Sequence, residues 1–127
     1  MALDPRDTKS SFTAADVAEI MDQVVQEISF LRDAGQKEYA HEEDQPFRNF
    51  ETLARELNLT REKVLWVLAK KHIDGIIAHI NGHRSQREPV EGRINDLIVY
   101  LILLRAMNAE DRYHHGLPAI VLIPSKS

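Results

Sequence analysis

Hydrophobic side chains recur every three or four residues along the first part of this chain, which is the spacing of one face of an α-helix. The stretch opens with Thr13 and Asp16, three residues apart in the pattern of a capping box. Gly35 is a suitable stop, because glycine is the preferred residue just beyond a helix. We therefore predict a first helix from Thr13 to Gly35. Its apolar face comprises Val17, Ile20, Met21, Val24, Val25, Ile28 and Leu31.

Three further helical segments follow, and their starts are marked by the sequence. Residues 47–57 predict a short amphipathic helix. Thr60 is a good N-cap for a third helix that runs to about Asn81. Pro89 stands near the start of a fourth helix, in which residues 97–104 are all apolar. The short helix places Phe50, Leu53, Ala54 and Leu57 on one side.

The third and fourth helices are apolar nearly all the way round, which is typical of helices that lie at the centre of a bundle or in an oligomer interface. The chain therefore predicts an all-α, four-helix bundle-like single domain that forms a homodimer or homotetramer. We expect residues 1–12 to form a flexible arm, 13–109 the helical domain and 110–127 a C-terminal tail. The acidic segment 35–50 predicts a long ordered loop, and such loops are often functional.

Composition narrows the classes of partner. The 127 residues include no cysteine, which excludes disulfides and thiolate metal sites. No apolar run approaches the roughly 20 residues that span a bilayer, so we expect a cytoplasmic protein with no membrane partner. The formal net charge of −4 gives no general attraction to nucleic acid. It does suit a carboxylate-rich site for a divalent cation.

Polar side chains interrupt the two most apolar helices, and charges buried among aliphatic side chains are costly unless they are paired or bound to a metal. If the two helices pack antiparallel, Asp74 and Asp96 approach each other, and their hard oxygen atoms select Mg²⁺ or Mn²⁺. Lys71, Arg93 and His72 would then suit phosphate oxygens. The full set of interrupting residues is Lys70, Lys71, His72 and Asp74 in the third helix and Arg93, Asn95 and Asp96 in the fourth.

Simpler interpretations of the same residues stay open. Lys70 or Lys71 with Asp74 is also the spacing of an ordinary intrahelical ion pair. Asp96 with Arg93 is also a structural pair near a helix N-terminus, where an acid is favoured. The acidic residues of the predicted loop are explained better by a solvated loop than by a set of metal ligands.

A competing interpretation makes residues 52–68 a helix-turn-helix. Asn58 and Leu59 would form the turn, and Thr60, Arg61, Glu62 and Lys63 would meet the major groove of DNA. Against this, the second helix continues past the usual length of a recognition helix and becomes wholly apolar, in a net-acidic chain. We therefore do not expect nucleic acid as the partner.

From about Gln26 to Met107 the chain resembles the helical phage-type domains associated with nucleotide modification. It is more remotely similar to the MazG-type all-α nucleoside triphosphate pyrophosphatases. The motifs that carry the resemblance are QKEYAHEEDQPFRNF, AKKHIDGI and EGRINDLIVYLILL. In the last of them, residues 96–101 are similar to the MazG-type motif in which an acid begins an apolar helix and binds magnesium.

The resemblance implies an acidic metal site with nucleotide contacts beside it. The chain departs from the MazG-type pattern because its third helix supplies only Asp74, and because Arg93 stands three residues before Asp96 where those enzymes have Glu. The implied metal ligands are Glu38, Asp74, Glu91 and Asp96. The implied nucleotide contacts are Lys71 and Asn49, to which we add Arg93, Tyr39 and His72.

The sequence thus predicts Mg²⁺- or Mn²⁺-dependent hydrolysis of a ribo- or deoxyribonucleoside triphosphate to the monophosphate and pyrophosphate. The predicted catalytic residues are Glu38, Asp74 and Asp96, with water activated by the metal or by a carboxylate such as Glu38. The alternatives are a non-catalytic nucleotide-binding or protein-interaction module and a helix-turn-helix DNA-binding protein.

Overall fold

Four α-helices and no strand make up the residues described by the computed structural model, which are 11–39, 45–84 and 89–120. Side chains are described over the same ranges except for 32–39. The helices are α1 (Ala14–Tyr39), α2 (Arg48–Leu57), α3 (Arg61–Ile80) and α4 (Val90–His114). The all-α prediction is confirmed. No helix in these ranges is both long and apolar enough to cross a membrane.

The bounds of α2 and α3 follow from the residues between them. Thr60 is extended, and its side-chain oxygen accepts a hydrogen bond from the backbone N–H of Lys63 at 3.2 Å, which satisfies a donor that the helix itself leaves unpaired. Asn58 adopts the left-handed conformation, with φ 56°, which asparagine tolerates better than most residues. The backbone N–H of Leu59 then donates to the Ala54 carbonyl at 2.9 Å. This turn fixes the angle between the two helices.

The first helix begins as predicted but ends later. Asp16 accepts hydrogen bonds from the backbone N–H and the hydroxyl of Thr13, at 2.7 and 2.9 Å. Gly35 does not end α1, which continues to Tyr39, so the start of the predicted loop is helical. An interior glycine costs about 1 kcal/mol, but the residues that follow it, Gln36, Lys37 and Glu38, are good helix formers. The fourth helix also outlasts its predicted end near residue 109 and reaches His114.

Helices α3 and α4 form the central antiparallel pair. His72 lies opposite Asp96, and Arg61, eleven residues earlier in α3, reaches the Met107 carbonyl, eleven residues later in α4. Helix α2 packs on α3, and α1 packs on α4. Phe47, Leu65 and Met107 form the buried core, with half-buried side chains from α2 and α4 around them. The core therefore lies at one end of the α3–α4 pair, beneath α2.

Burial of the two apolar helices is confined to one face of each among the described residues. Val64 and Leu65 are buried, whereas the neighbouring Trp66 is 51% exposed. In α4, Leu101 and Ile102 are each 46% exposed although they belong to the unbroken apolar run. An apolar helix can be central or can lie at an interface, and here each helix has one buried face and one exposed apolar face.

Arg61 joins three helices through one buried guanidinium. It donates to Glu110 Oε1 at 2.6 Å, to Asp111 Oδ1 at 2.9 Å and to the Met107 carbonyl at 3.1 Å. Its guanidinium carbon lies 5.0 Å from the centre of the Phe47 ring, at a distance typical of cation–π contacts. Only 10% of the side chain is exposed. The helix-turn-helix interpretation needs Arg61 to face a DNA groove, whereas its guanidinium donates to α4 and to Glu62 and lies 3.6 Å from Glu51 Oε2 in α2.

We predict that Arg61→Met destabilises the protein by about 2 kcal/mol, because it keeps the apolar stem but removes the hydrogen bonds to the Met107 carbonyl and to the partly exposed acids of α4. Chemical denaturation monitored by circular dichroism measures the loss. The control is Arg105→Met, since Arg105 is an exposed arginine of α4 and its replacement should change the free energy of unfolding by less than about 0.5 kcal/mol. Equal effects of the two substitutions would contradict the role given to Arg61.

Candidate functional site

A groove of about 560 Å³ runs between α1 and the first turns of α4. Three carboxylates reach it, which are those of Glu27 from α1 and of Glu91 and Asp96 from α4. Phe30 and Leu31 form its apolar side. The groove therefore combines anionic groups with an exposed aromatic ring. These two features suit a ligand that carries both a cation and an apolar part.

Glu27 and Asn95 hold the two walls of the groove together. The amide nitrogen Nδ2 of Asn95, whose side chain is buried, donates to Glu27 Oε2 at 2.7 Å. Gln23 donates to the other carboxylate oxygen at 3.0 Å. These hydrogen bonds, that of Asn95 first, hold the pKa of Glu27 below its ordinary value because they favour the charged form. Glu27 therefore stays ionised at neutral pH.

Asp96 faces a buried histidine on the other side of α4. His72 is 5% exposed, and its Nδ1 lies 3.7 Å from Asp96 Oδ2, which is too long for a hydrogen bond. Within the described part of the chain this Nδ1 atom has no hydrogen-bond partner. An unpaired buried polar atom is costly, so a small movement of either residue that closes this gap would be favourable.

The ring of Tyr100 completes the surroundings of this pair. Its centre lies 5.7 Å from that of the His72 ring and 6.4 Å from that of Phe50. Burial, and after it the negative charge of Asp96, raises the pKa of Tyr100. Tyr100 thus packs beside Asp96 and keeps its hydroxyl protonated at neutral pH.

A second pocket, of about 360 Å³, adjoins the groove at Glu91 and is basic. Its charged and titratable lining comes from the end of α3 and the start of α4. Pro89 is the N-cap of α4 and supplies no side-chain hydrogen bond, so the positive end of the helix dipole opens towards this pocket. The lining residues with basic or imidazole side chains are His79, His83, Arg84 and Arg93.

Gly75 explains how Arg93 reaches across α3. A Cβ atom at position 75 would lie 2.5 Å from Arg93 Cδ, so any larger residue would displace the arginine. The Arg93 guanidinium donates to the Lys71 carbonyl at 3.3 Å. Glycine in the middle of a helix is unfavourable, and here the close approach of Arg93 accounts for it.

The residues predicted from sequence are only partly brought together. His72 lies against Asp96, Glu91 and Asp96 share the groove, and Arg93 lines the adjoining pocket. Asp74 is not among the residues that line the groove with Asp96. Asp74 instead forms an exposed ion pair with Lys70 one turn earlier in α3, as the simpler interpretation of this spacing expected.

The remaining predicted residues lie elsewhere or outside the described side chains. The Lys71 side chain is exposed on α3, and Asn49 is exposed in the first turn of α2. Glu38 and Tyr39 are the last two residues of α1, where side chains are not described. Among the side chains that are described, no three of His, Asp or Glu converge closely enough to ligate one metal ion.

Sequence reasoning missed Glu27 as a site residue. Gln23 and Glu27 stand four residues apart beside the apolar face of α1, which in the sequence is the pattern of an ordinary solvated edge. His79, His83 and Arg84 were also missed, because the basic connection after α3 has no ligand spacing. In the sequence, the one local sign of the hydrogen bond to Glu27 is that the polar Asn95 stands just before a long apolar run.

We predict that Asn95→Ala raises the pKa of Glu27 and loosens α1. Because the folded pKa is depressed, the contribution of this bond to stability is present above the ordinary carboxyl pKa and is lost as the pH falls through the folded value. Carbon-detected NMR titration measures the pKa, and hydrogen exchange measures protection of α1. Gln23→Ala is the control, and we expect it to raise the pKa less and leave the exchange of α1 unchanged. An unaltered Glu27 pKa in Asn95→Ala would contradict this.

Because the comparisons with known proteins found no match, the function is inferred from the groove and the pocket described above. Neither the protein-family models, nor the curated proteins, nor the solved structures include a match to this chain.

Proposed function

We propose that the protein is a Mg²⁺-dependent nucleoside triphosphate pyrophosphohydrolase that releases pyrophosphate from a ribo- or deoxyribonucleotide. The observation that carries this proposal is that the acidic groove and the basic pocket meet at Glu91. A nucleotide with its cation needs these two environments side by side, since carboxylates hold the cation and basic groups hold the phosphates. The motifs similar to MazG-type enzymes point to the same chemistry.

One or two carboxylates of the groove would serve a magnesium ion that is shared with a substrate, although no three of them converge on one point. Glu27, Glu91 and Asp96 offer hard carboxylate oxygens, and the depressed pKa keeps Glu27 charged. Magnesium keeps several water molecules and often takes only one or two protein carboxylates together with substrate phosphates. A bound Mg²⁺ would neutralise charge on the phosphates and favour the ionisation of a water molecule. Mn²⁺ would fit the same oxygen atoms.

The basic pocket suits the polyphosphate. Arg93 and Arg84 carry permanent positive charge, and the N-cap residue Pro89 has no side-chain acceptor for the first backbone N–H groups of α4, which would add donors. Water would attack the phosphorus nearest the sugar, pyrophosphate would leave, and the arginines would neutralise the charge that develops on it. A carboxylate of the groove would accept the proton of the attacking water, and Glu38 stays a candidate for that role. Asp74 is not part of this proposed groove.

The apolar side of the groove suits the rest of the substrate. Phe30 is 73% exposed and lies beside the polar groups of Gln26 and Asn95. An exposed ring can stack on a nucleobase, and stacking of this kind tolerates any base because every base has a π-face. The base preference would then depend on the exposed amide of Gln26.

We predict that Asp96→Asn lowers Mg²⁺-dependent hydrolysis by about 100-fold or more, because it removes a charged ligand of the cation while keeping the shape of the side chain. Chromatographic separation of monophosphate and diphosphate products, with each canonical ribo- and deoxyribonucleoside triphosphate, measures the effect. Asp74→Asn is the matched control, and we expect it to retain activity since Asp74 is an exposed surface residue. Absence of turnover in the unaltered protein at high concentration would overturn the proposal.

We further predict that His72 positions Asp96 through Nδ1. Asparagine carries its amide nitrogen near the place of histidine Nδ1, whereas glutamine carries it near Nε2. His72→Asn should therefore keep most of the activity, and His72→Gln should lose about tenfold, a loss of about 1.4 kcal/mol that matches one hydrogen bond to a charged group. Equal losses in both variants, with equal melting temperatures, would show that only the packing of the ring matters.

A non-catalytic interaction module is the second candidate, and the exposure of large apolar side chains on α1, α3 and α4 favours it. Such a module would bind a nucleotide or another protein without turnover. Binding of a non-hydrolysable triphosphate analogue with no product formed from the natural nucleotides would support this candidate over the enzyme.

A further inference from the structure

Two arginines of the basic pocket are anchored on backbone carbonyls of α3. Arg93 Nη1 donates to the Lys71 carbonyl at 3.3 Å. Arg84 Nη1 donates to the His79 carbonyl at 2.9 Å. The two carbonyls are eight residues apart in the sequence, which is about 12 Å along a helix. Both arginines line the pocket, so an anion with two phosphoryl groups can engage both guanidiniums at once.

Gly75 lets Arg93 lie close against α3. A Cβ atom at position 75 would come within 2.5 Å of Arg93 Cδ and within 2.6 Å of its Nε and Nη1 atoms. Since Nη1 is also the atom that donates to the Lys71 carbonyl, a larger residue at position 75 would break this anchor and move the guanidinium. The displaced group is the end of a flexible side chain, so the fold itself tolerates the change. Gly75 is therefore a positioning residue for Arg93.

Glu91 brings one carboxylate to the edge of the same pocket, where the acidic groove begins. Its negative charge repels a bare phosphate anion, and a Mg²⁺ ion between the two offsets this repulsion. Arginine suits phosphate because its fork of N–H donors can bind two oxygen atoms together. Two guanidiniums with a carboxylate at one edge thus suit the magnesium complex of a short polyphosphate.

We propose that the basic pocket binds magnesium pyrophosphate in its own right, with Gly75 keeping Arg93 in place for it. The choice of this anion rests on the proposed function, in which pyrophosphate is the leaving group. Pyrophosphate that returns to the pocket occupies the place of the outer phosphates of the next substrate. It therefore acts as a competitive inhibitor, and a reaction that hydrolyses pyrophosphate must remove it for turnover to continue at its full rate.

Isothermal titration calorimetry with magnesium pyrophosphate measures this site without any turnover. We expect the unaltered protein to bind it, and to bind magnesium orthophosphate about tenfold more weakly, because one phosphoryl group engages the two arginines less well. Gly75→Ala should weaken the binding of pyrophosphate by about tenfold, as the loss of one hydrogen bond to a charged group does. Ile77→Ala, two residues further along α3 with a side chain that is 49% exposed, is the control and should leave this affinity unchanged.

A double-mutant cycle with Arg93→Ala separates positioning from packing. Without the arginine, Gly75→Ala has no guanidinium to displace, so the double variant should bind pyrophosphate no more weakly than Arg93→Ala alone. Its melting temperature should exceed that of Arg93→Ala, because alanine is a better helix former than glycine. An additive loss of affinity in the double variant would overturn the role of Gly75. Unchanged binding of pyrophosphate by Arg93→Ala would overturn the site.

The inhibition distinguishes this site from the proposed function. In the hydrolysis of a nucleoside triphosphate, added pyrophosphate should raise KM and leave kcat unchanged, and Gly75→Ala should weaken the inhibition. Hydrolysis by a protein that does not bind pyrophosphate would overturn the inference and leave the proposed function standing. Binding of pyrophosphate by a protein that hydrolyses no nucleotide would support the site and overturn the proposed function.

Discussion

The buried guanidinium of Arg61 sets the register on which the other contacts depend. Among the described residues, the fully buried large side chains are Leu65, Met107 and Val64. Such a small apolar core does not by itself fix the position of α3 along α4. The Arg61 hydrogen bonds to α4 have defined geometry and fix it. With Arg61 at the level of Met107, His72 falls opposite Asp96. The candidate site therefore owes its alignment to a polar contact at the other end of the same helix pair.

Local signals in the sequence predict most of the fold, because they act on neighbouring residues. Thr60 and Asn58 define the turn between α2 and α3, and Pro89 marks the start of α4, as their backbone preferences require. Gly35 is a common residue just beyond a helix, but it does not end α1, because the residues that follow it favour the helical conformation. The sequence does not reveal which face of α3 and α4 is buried, since apolar residues occur on the buried and the exposed faces of both helices.

The candidate site was less predictable because it depends on contacts distant in sequence. Asp96 could be singled out, as it is an acid at the start of an apolar run. Glu27 could not, because its significance comes from Asn95, and that pairing exists only once α1 has packed on α4. Asp74 shows the opposite error: its neighbours in sequence are apolar, but the helical period carries it to the solvent side, where Lys70 is enough to explain it.

Helix α1 packs mainly on α4, and this determines the order in which parts of the molecule unfold. Helices α2, α3 and α4 share the core and the Arg61 hydrogen bonds, so they open together, whereas α1 can separate as its own cooperative unit at a lower free energy. One wall of the acidic groove is part of that unit. The groove exists only while α1 is packed on α4, so a ligand that contacts both walls stabilises the packing of the first helix.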